Sequence, residues 1–428
     1  MTAAAWKNRK LGDLLKIKHG YAFKGEFFSD EGNFVLLTPG NFREEGGLKL
    51  KGEKEKYYAG EIPEDFVLRK GDLLVAMTDL TQNAPILGSP AFVPESGRFL
   101  HNQRLGKVTN IRHDEVVPEF LFYLLNTTAV RGQIKGSASG ATVRHTSPAR
   151  MYDVSVNIPP LPVQRRIAGI LSAYDDLIEN NQRRIKILEE MARSLYREWF
   201  VHFRFPGHDK IKMVSSRLGP IPQGWKIVRV DDVCELVTDG SHSSPKSIKQ
   251  GLPMASSKDM HEWGLNLEGC RYISRQDFDQ LVRNGCKPKK NDVLITKDGA
   301  NYLKHIFVVR EEQELVLLSS IAILRPNEMI NPHLLTAILS AQENKDRLKN
   351  YVTGAAIPRI ILSDFKQFAI ALPSEDVQAA WAKIGEPITQ LCWRLVEQIK
   401  TLRRTRDLLL PRLLSGQVSL ADYSHATS

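Results

Sequence analysis

The sequence has little from which to build an active site. Its four cysteines, Cys234, Cys270, Cys286 and Cys392, include no CxxC pair, so neither a structural zinc site nor a disulfide framework is signalled and the thiols are expected to be reduced. Eleven histidines include no HExxH, and His202 and His208 flank the Pro206-Gly207 turn, where solvated or capping roles are expected. No Gly-x-Gly-x-x-Gly follows a strand pattern and no GxxxxGKS/T occurs, so no loop suited to cradling a nucleotide phosphate is signalled. Asn157-Ile158-Pro159-Pro160-Leu161 has an inserted Ile and lacks an aromatic that would stack on an extruded base. It reads as a strand-to-helix turn. A long apolar run is also missing, and the start, MTAAAWKNRKLGDLL, has no export-signal core, so the expected location is the cytoplasm with no membrane partner.

What is present is an ordinary globular composition: 428 residues, 42% hydrophobic and 25% charged, enough for two or three domains with real cores. The net charge of +10 favours a polyanionic partner.

The most ordered pattern lies between Val163 and Phe205. Ile167, Leu171, Tyr174, Ile178, Asn181, Ile185, Leu188, Ala192, Leu195 and Trp199 alternate steps of four and three, a heptad seam with one polar member. As a helix it would be about 60 Å long. Near the other end Trp381, Ile384, Ile388, Leu391, Leu395, Gln398, Leu402, Thr405 and Leu409 repeat the alternation. An antiparallel register sets Leu171 with Leu409, Ile178 with Leu402, Ile185 with Leu395, Ala192 with Ile388 and Trp199 with Trp381. The alternate layers match Leu188 with Leu391, Leu195 with Ile384, Tyr174 with Thr405 and Asn181 with Gln398. A buried polar layer of this kind fixes register at some cost in stability. Pro387, inside the second seam, is expected to kink that helix or to mark where its straight part begins.

The rest of the chain is duplicated. Trp6-Lys7 and LGDLLKIKHG match Trp225-Lys226 and VDDVCELVTDG; Lys70-Gly71-Asp72-Leu73-Leu74-Val75 matches Lys290-Asn291-Asp292-Val293-Leu294-Ile295. Further on, Pro118-Glu119-Phe120-Leu121 matches Pro332-His333-Leu334-Leu335, Gly140-Ala141-Thr142-Val143 matches Gly354-Ala355-Ala356-Ile357, and Ile158-Pro159 matches Leu372-Pro373. Each long helix then begins, with Val163-Gln164 and Val377-Gln378. The period is too long for a solenoid. The expected fold is α+β: two duplicated mixed α/β domains, 1–160 and 223–373, separated by a long antiparallel two-helix coiled coil, 161–205 and 374–414, in a pseudo-two-fold arrangement. A linker, 206–222, and a frayed tail, 415–428, complete the division.

Polar loops recur in both domains. In the first, Asn41, Arg43, Asp79, Gln82, Asn83, Asn102, Gln103, Arg104, Lys135, Arg144 and His145 stand out; in the second, Ser241, His242, Lys246, Ser257, Lys258, Lys297, Asn301, Tyr302, Lys304 and Arg359. Asn, Gln and Arg can bond base edges in two places at once, whereas Ser, Thr and Lys more often hold phosphates. These residues are the candidate contacts to double-stranded DNA. A coiled-coil adaptor with an incidental basic surface, and an enzyme with an unrecognised methyltransferase or nuclease centre, are the competing readings.

Pro159-Pro160-Leu161-Pro162-Val163-Gln164-Arg165-Arg166-Ile167-Ala168-Gly169-Ile170-Leu171, the helix end Tyr196-Arg197-Glu198-Trp199-Phe200, and RRTRDLLLPRLL from Arg403 to Leu414 resemble the helical segments of type I restriction-modification specificity subunits. Val163 and Val377 stand where that family commonly carries Glu. The resemblance implies two target-recognition domains, each reading half of a split DNA sequence, on a non-catalytic subunit. It implies two methyltransferase subunits docked on the helices, flipping adenine and methylating N6 with S-adenosylmethionine. Two restriction subunits would add ATP- and Mg-dependent translocation and cleavage. No cofactor is expected on this chain.

Overall fold

The computed structural model of the chain describes residues 6–354 and 358–418. The second-copy residues 355–357 and the tail from 419 lie outside the described residues. Two compact units divide the chain, one running to Ile178 and resuming at Thr401, the other Glu179–Lys400. The division falls inside both long helices, so each unit holds one domain together with part of each helix.

The duplication is visible in the topology. In the first unit a four-stranded antiparallel sheet has the order Lys16–His19, Leu105–Thr109, Leu73–Ala76, Pro90–Phe92. In the second, Cys234–Asp239, Ile321–Pro326, Val293–Thr296 and Ile306–Val308 follow the same order. Each unit also pairs its first strand with its last, Lys7–Lys10 with Ser155–Ile158 and Lys226–Arg229 with Ala369–Leu372. A short parallel pairing recurs too, Leu36 beside Leu100 and Ala255 beside Leu317.

The two central strands are apolar runs because both of their faces are covered. Side chains alternate along a strand: Leu73 and Val75 enter one core while Leu74 and Ala76 enter another. Val293 and Ile295 likewise part from Leu294. The turn before each strand needs a left-handed residue, supplied by Gly71 (φ 85°) and by Asn291 (φ 71°), the side chain that best tolerates that region after glycine. The aspartate that follows accepts a backbone N–H across the turn, Arg69 N to Asp72 at 2.9 Å and Lys289 N to Asp292 at 2.7 Å. Each is neutralised by a cation from the neighbouring strand, Lys107 at 2.8 Å and Arg325 at 2.8 and 2.9 Å.

The first long helix spans Leu161–Tyr196 and ends in a π-helical turn, Arg197–Val201. The second spans Glu375–Leu414. In the first unit Ile167 and Leu171 share a core with Leu409, Leu410 and Leu413, and Arg406 is ion-paired with Asp175, which also accepts from Tyr123 Oη at 2.7 Å. Ile178 is buried and Leu402 half-buried. In the second unit Asn181 Nδ2 donates to Gln398 Oε1 at 3.3 Å, Ile185 and Leu395 are buried, and Leu188, Leu195 and Leu391 are half-buried. Trp199 and Trp381 enter one core.

Two expectations change. Only Asn181 of the polar layer is buried; Gln398 is exposed and lends its carbonyl from the rim. Ile384 is 43% exposed, because the Trp381 indole lies over Gly385, where a Cβ would come within 2.5 Å of the ring. On the second helix Trp381 and Leu395 are buried as the seam requires, whereas in the alternate layer burial falls at Gly385, Cys392 and Ile399, one residue beyond Ile384, Leu391 and Gln398. Pro387 does not interrupt the helix. It and Lys383 lie on the exposed side, where water can take the carbonyl that loses its partner.

A feature absent from the periodicity ties each long helix to its domain. Gln164 accepts from Val117 N at 3.1 Å and donates to the carbonyls of Glu115 and Pro159 at 2.7 and 2.8 Å. Gln378 repeats the arrangement with Asn331 N at 3.4 Å and the carbonyls of Met329 and Pro373 at 3.1 Å. Replacing Gln164 by Leu strands three backbone groups. Urea unfolding of the first domain is expected to show a loss of about 2–4 kcal/mol, and a loss below about 0.5 kcal/mol would remove this role. The helix register has its own test: a Leu188→Cys, Leu391→Cys double variant is expected to form an intrachain disulfide under mild oxidation, and a free-thiol product would count against the pairing.

Candidate nucleic-acid interface

Beyond the central strand of each domain the polar loops are clamped together through the backbone. In the first domain Met77 N donates to Arg104 O at 3.0 Å, Thr146 N to Met77 O at 3.0 Å and Gln103 N to Tyr21 O at 2.9 Å. At matching positions in the second, Lys297 N donates to Ser320 O at 2.9 Å, Ile360 N to Lys297 O at 3.2 Å and Ser319 N to Ser241 O at 3.0 Å. The approach is close enough to demand glycine. A Cβ on Gly20 would lie 2.0 Å from Asn102 O, and one on Gly240 would lie 2.3 Å from Leu317 O.

On this shared frame the side chains differ. In the first domain Gln82, Asn83, Gln103, Arg104 and His145 are exposed. His145 Nδ1 stands 3.0 Å from Thr78 Oγ1, and Asn102 Oδ1 accepts from Arg104 N at 3.0 Å, leaving its amide donors for other partners. Arg144 is half-buried and donates to the carbonyl of Lys135 at 2.9 Å, which fastens that loop. Arg43 is exposed on a separate turn, held where its carbonyl accepts from Ser89 Oγ at 2.6 Å. In the second domain His242, Lys246, Lys258 and Lys304 are exposed, and Ser257, Asn301 and Tyr302 are half-buried. Ser257 N donates to Ser320 Oγ at 3.0 Å, which brings Lys258 to the cluster. Arg359 is exposed, its Nε 3.5 Å from the Asp298 carboxylate, and burial raises the Asp298 pKa.

Four candidates are committed internally. Asn41, 1% exposed, accepts from Thr38 N at 3.0 Å and donates to the Glu55 carboxylate at 2.9 Å. Asp79, 2% exposed, accepts from Thr81 N, Thr81 Oγ1 and Ile86 N, each at 2.8 Å. Ser241 is buried and its Oγ closes a turn on Ser243 N at 3.1 Å. Lys297 is buried with its Nζ 2.7 Å from Asp239. A buried polar group must be paired, and these have spent their pairing inside the fold. Within the fold they shape the loops.

Three residues of the cluster escaped the reading of the sequence: Tyr21, 37% exposed beside Gln103, and Ser319 and Ser320. The signal for Tyr21 was the matched Gly20 and Gly240 just before it and Ser241. Arg131 was also missed. It is buried and donates to the carbonyls of Leu87 and Glu44 at 2.8 and 3.3 Å, holding two loops of the first domain. Burial pushes its pKa down to about 10.

Among the described residues no group of three or more His, Cys, Asp or Glu is placed to hold a metal ion, and no helix is long and apolar enough to cross a membrane.

The family described as Type I restriction modification DNA specificity domain matches residues 4–190 and 222–402. The EcoBI specificity subunit of the type I restriction enzyme of Escherichia coli is 25% identical over 97% of this chain and 86% of its own length. The MjaIX specificity subunit of Methanocaldococcus jannaschii is 24% identical over 73% of this chain and 72% of its own. The crystal structure of a type I restriction-modification S subunit from M. genitalium superposes with a TM-score of 0.60 at 16% identity, covering 96% of this chain and 97% of that one. It shares the fold.

The loop holding Asn102 to Arg104 rests on His101, which is fully buried, its Nε2 3.0 Å from Leu105 O. Burial lowers the imidazole pKa to about 4, against about 6.5 in an unfolded chain. Between those values the unfolded state binds the extra proton, so stability is present above pH 6.5 and lost as pH falls towards 4. The loss is on the order of 3 kcal/mol. His101→Gln is expected to flatten the acid limb of the stability profile in urea melts, and an unchanged acid limb would contradict this account.

Proposed function

The chain belongs to the family of type I restriction-modification DNA specificity subunits, and on that premise we propose that it reads a bipartite double-stranded DNA target, one half-site per domain. The paired helices set the gap between the half-sites and dock the methyltransferase subunits. The chain itself supplies no catalysis. Adenine N6 methylation, drawing on S-adenosylmethionine, takes place on those partners, and restriction subunits supply ATP- and Mg-dependent translocation and cleavage. Such a complex acts on DNA in the cytoplasm. The observation that carries the reading is the repeated backbone clamp: two domains present different side chains from one frame, as a subunit with two unlike half-sites requires.

Within that surface the roles divide by chemistry. Lys246, Lys258 and Lys304 are point charges suited to phosphates, while Gln82, Asn83, Gln103, Arg104 and Asn301 have the paired donors and acceptors for base edges. Co-expression with the methyltransferase subunit, followed by single-molecule mapping of methylated adenines, is expected to reveal a split motif with a fixed gap that vanishes when this chain is omitted. Methylation that is absent, or indifferent to the chain, would favour the adaptor reading. In the purified complex Lys304→Ala is expected to lower the salt slope of DNA binding by about one and leave the motif intact. Arg104→Ala is expected to relax the motif at one position, at a cost of about 1–3 kcal/mol.

A further inference from the structure

In the second domain a cavity of about 560 Å³ opens where the turn at Lys290 and Asn291, the start of the helix Pro332–Ser340 and the second long helix come together. Three cations line it, Lys290, Arg310 and Arg394, all exposed. None of the three pairs with a carboxylate among the described residues. The same walls carry the Trp393 indole and the His333 ring, their centroids 5.7 Å apart, and the Glu386 carboxylate, which accepts from Asn331 Nδ2 at 2.5 Å. Nδ1 of His333 is buried with no partner among the described residues.

The first domain has the same frame but lacks most of this chemistry. Gly71 N to Val93 O at 2.9 Å and Val93 N to Asp72 O at 3.0 Å repeat as Asn291 N to Val309 O at 2.9 Å and Val309 N to Asp292 O at 2.8 Å. The position of Arg310 is therefore Pro94 in the first copy. Carrying the match of Pro118 with Pro332 onward, Glu119 stands for His333 and Glu179 for Trp393. Lys70 stands for Lys290, but the first copy has Asn180 in place of Arg394, so the fold requires neither arginine nor the indole. Nor do they belong to the DNA-facing loops: Lys290 precedes the strand Val293–Thr296 and the clamp at Lys297 follows it, a separation of roughly 13 Å along four residues.

We propose that this cavity binds a nucleoside di- or triphosphate. Lys290, Arg310 and Arg394 hold the phosphates, Trp393 and His333 pack against the base, and Glu386 accepts from the ribose hydroxyls. The volume lies within the range of small-ligand pockets. A polyphosphate alone would leave the aromatic wall unused, and an acidic peptide would meet the Glu386 carboxylate.

The test is calorimetric titration of the full chain with ADP, ATP, inorganic pyrophosphate and adenosine, repeated on an Arg310→Gln, Arg394→Gln variant and on Trp393→Leu. A Lys258→Ala, Lys304→Ala variant controls for anion binding on the DNA-facing loops, and a thermal melt establishes that each variant is folded. ADP and ATP are expected to bind more tightly than pyrophosphate or adenosine. Losing the two guanidinium groups should weaken them about tenfold or more, Trp393→Leu should weaken the nucleotides but not pyrophosphate, and the loop variant should bind as the parent does. Absence of nucleotide binding at millimolar concentration, equal affinity for ADP and pyrophosphate, or a loss confined to the loop variant would overturn the proposal. Since Arg310, Arg394 and Trp393 have no part in DNA reading, the methylation motif tests that reading separately.

Discussion

The interaction on which each unit depends is a single buried carboxamide. Gln164 sits in the first turn of its long helix and bonds three backbone groups from two other places in its domain; Gln378 does the same in the second unit. The task selects the residue. The side chain must supply one acceptor and two donors at the end of three rotatable bonds, in a buried place. Glutamate has no donor there and would bring a charge, and lysine has no acceptor. Because the groups held include Val117 N and Asn331 N, at the starts of the helices Pro118–Leu125 and Pro332–Ser340, the amide couples the long helix to the domain core at the point where their backbones would otherwise be unsatisfied.

Downstream of that anchor the loops are held by main-chain bonds. Met77 with Arg104 and Lys297 with Ser320 share a geometry although they share no side-chain chemistry. A clamp of this kind tolerates almost any side chain except at Gly20 and Gly240, where close approach forbids a Cβ. Two copies of one fold can therefore carry different loop side chains without refolding. The same logic explains why the second copy holds a cation-lined cavity where the first has Pro94 and Glu119.

The helices and the duplication were legible because both are repeats. A heptad seam and a matched Lys-Gly-Asp and Lys-Asn-Asp turn report themselves by spacing, and the pairing of Asn181 with Gln398 followed from the register alone. What spacing could not supply needed the third dimension. Ile384 occupies the correct heptad place, yet an indole laid over Gly385 rotates the covered face by one residue. Asn41, Asp79, Ser241 and Lys297 have the chemistry of DNA contacts, but a residue type does not reveal which way it points. Thr38-x-x-Asn41 and Ser256-x-x-Asp259 are turn-closing pairs, and that spacing was available as a warning. Gln164 and Gln378 were noticed as markers of helix starts. Their bonds could not be inferred, because two of the three partners of each lie nearly fifty residues earlier in the chain.

The net charge of +10 needs the same correction before it is used as an argument about DNA. Lys107, Lys297 and Arg325 are neutralised by Asp72, Asp239 and Asp292, and Arg131 is buried among carbonyls. These cations stabilise turns and loops and contribute little field outside the protein. The point charge available to a polyanion at the clamped loops is carried by Lys246, Lys258 and Lys304, all exposed. Point charges on flexible stems attract any duplex and weaken as salt screens them. On the proposed function, discrimination falls to side chains with paired donors and acceptors that fit base edges, Gln82, Asn83, Gln103 and Arg104 in the first domain and Asn301 in the second.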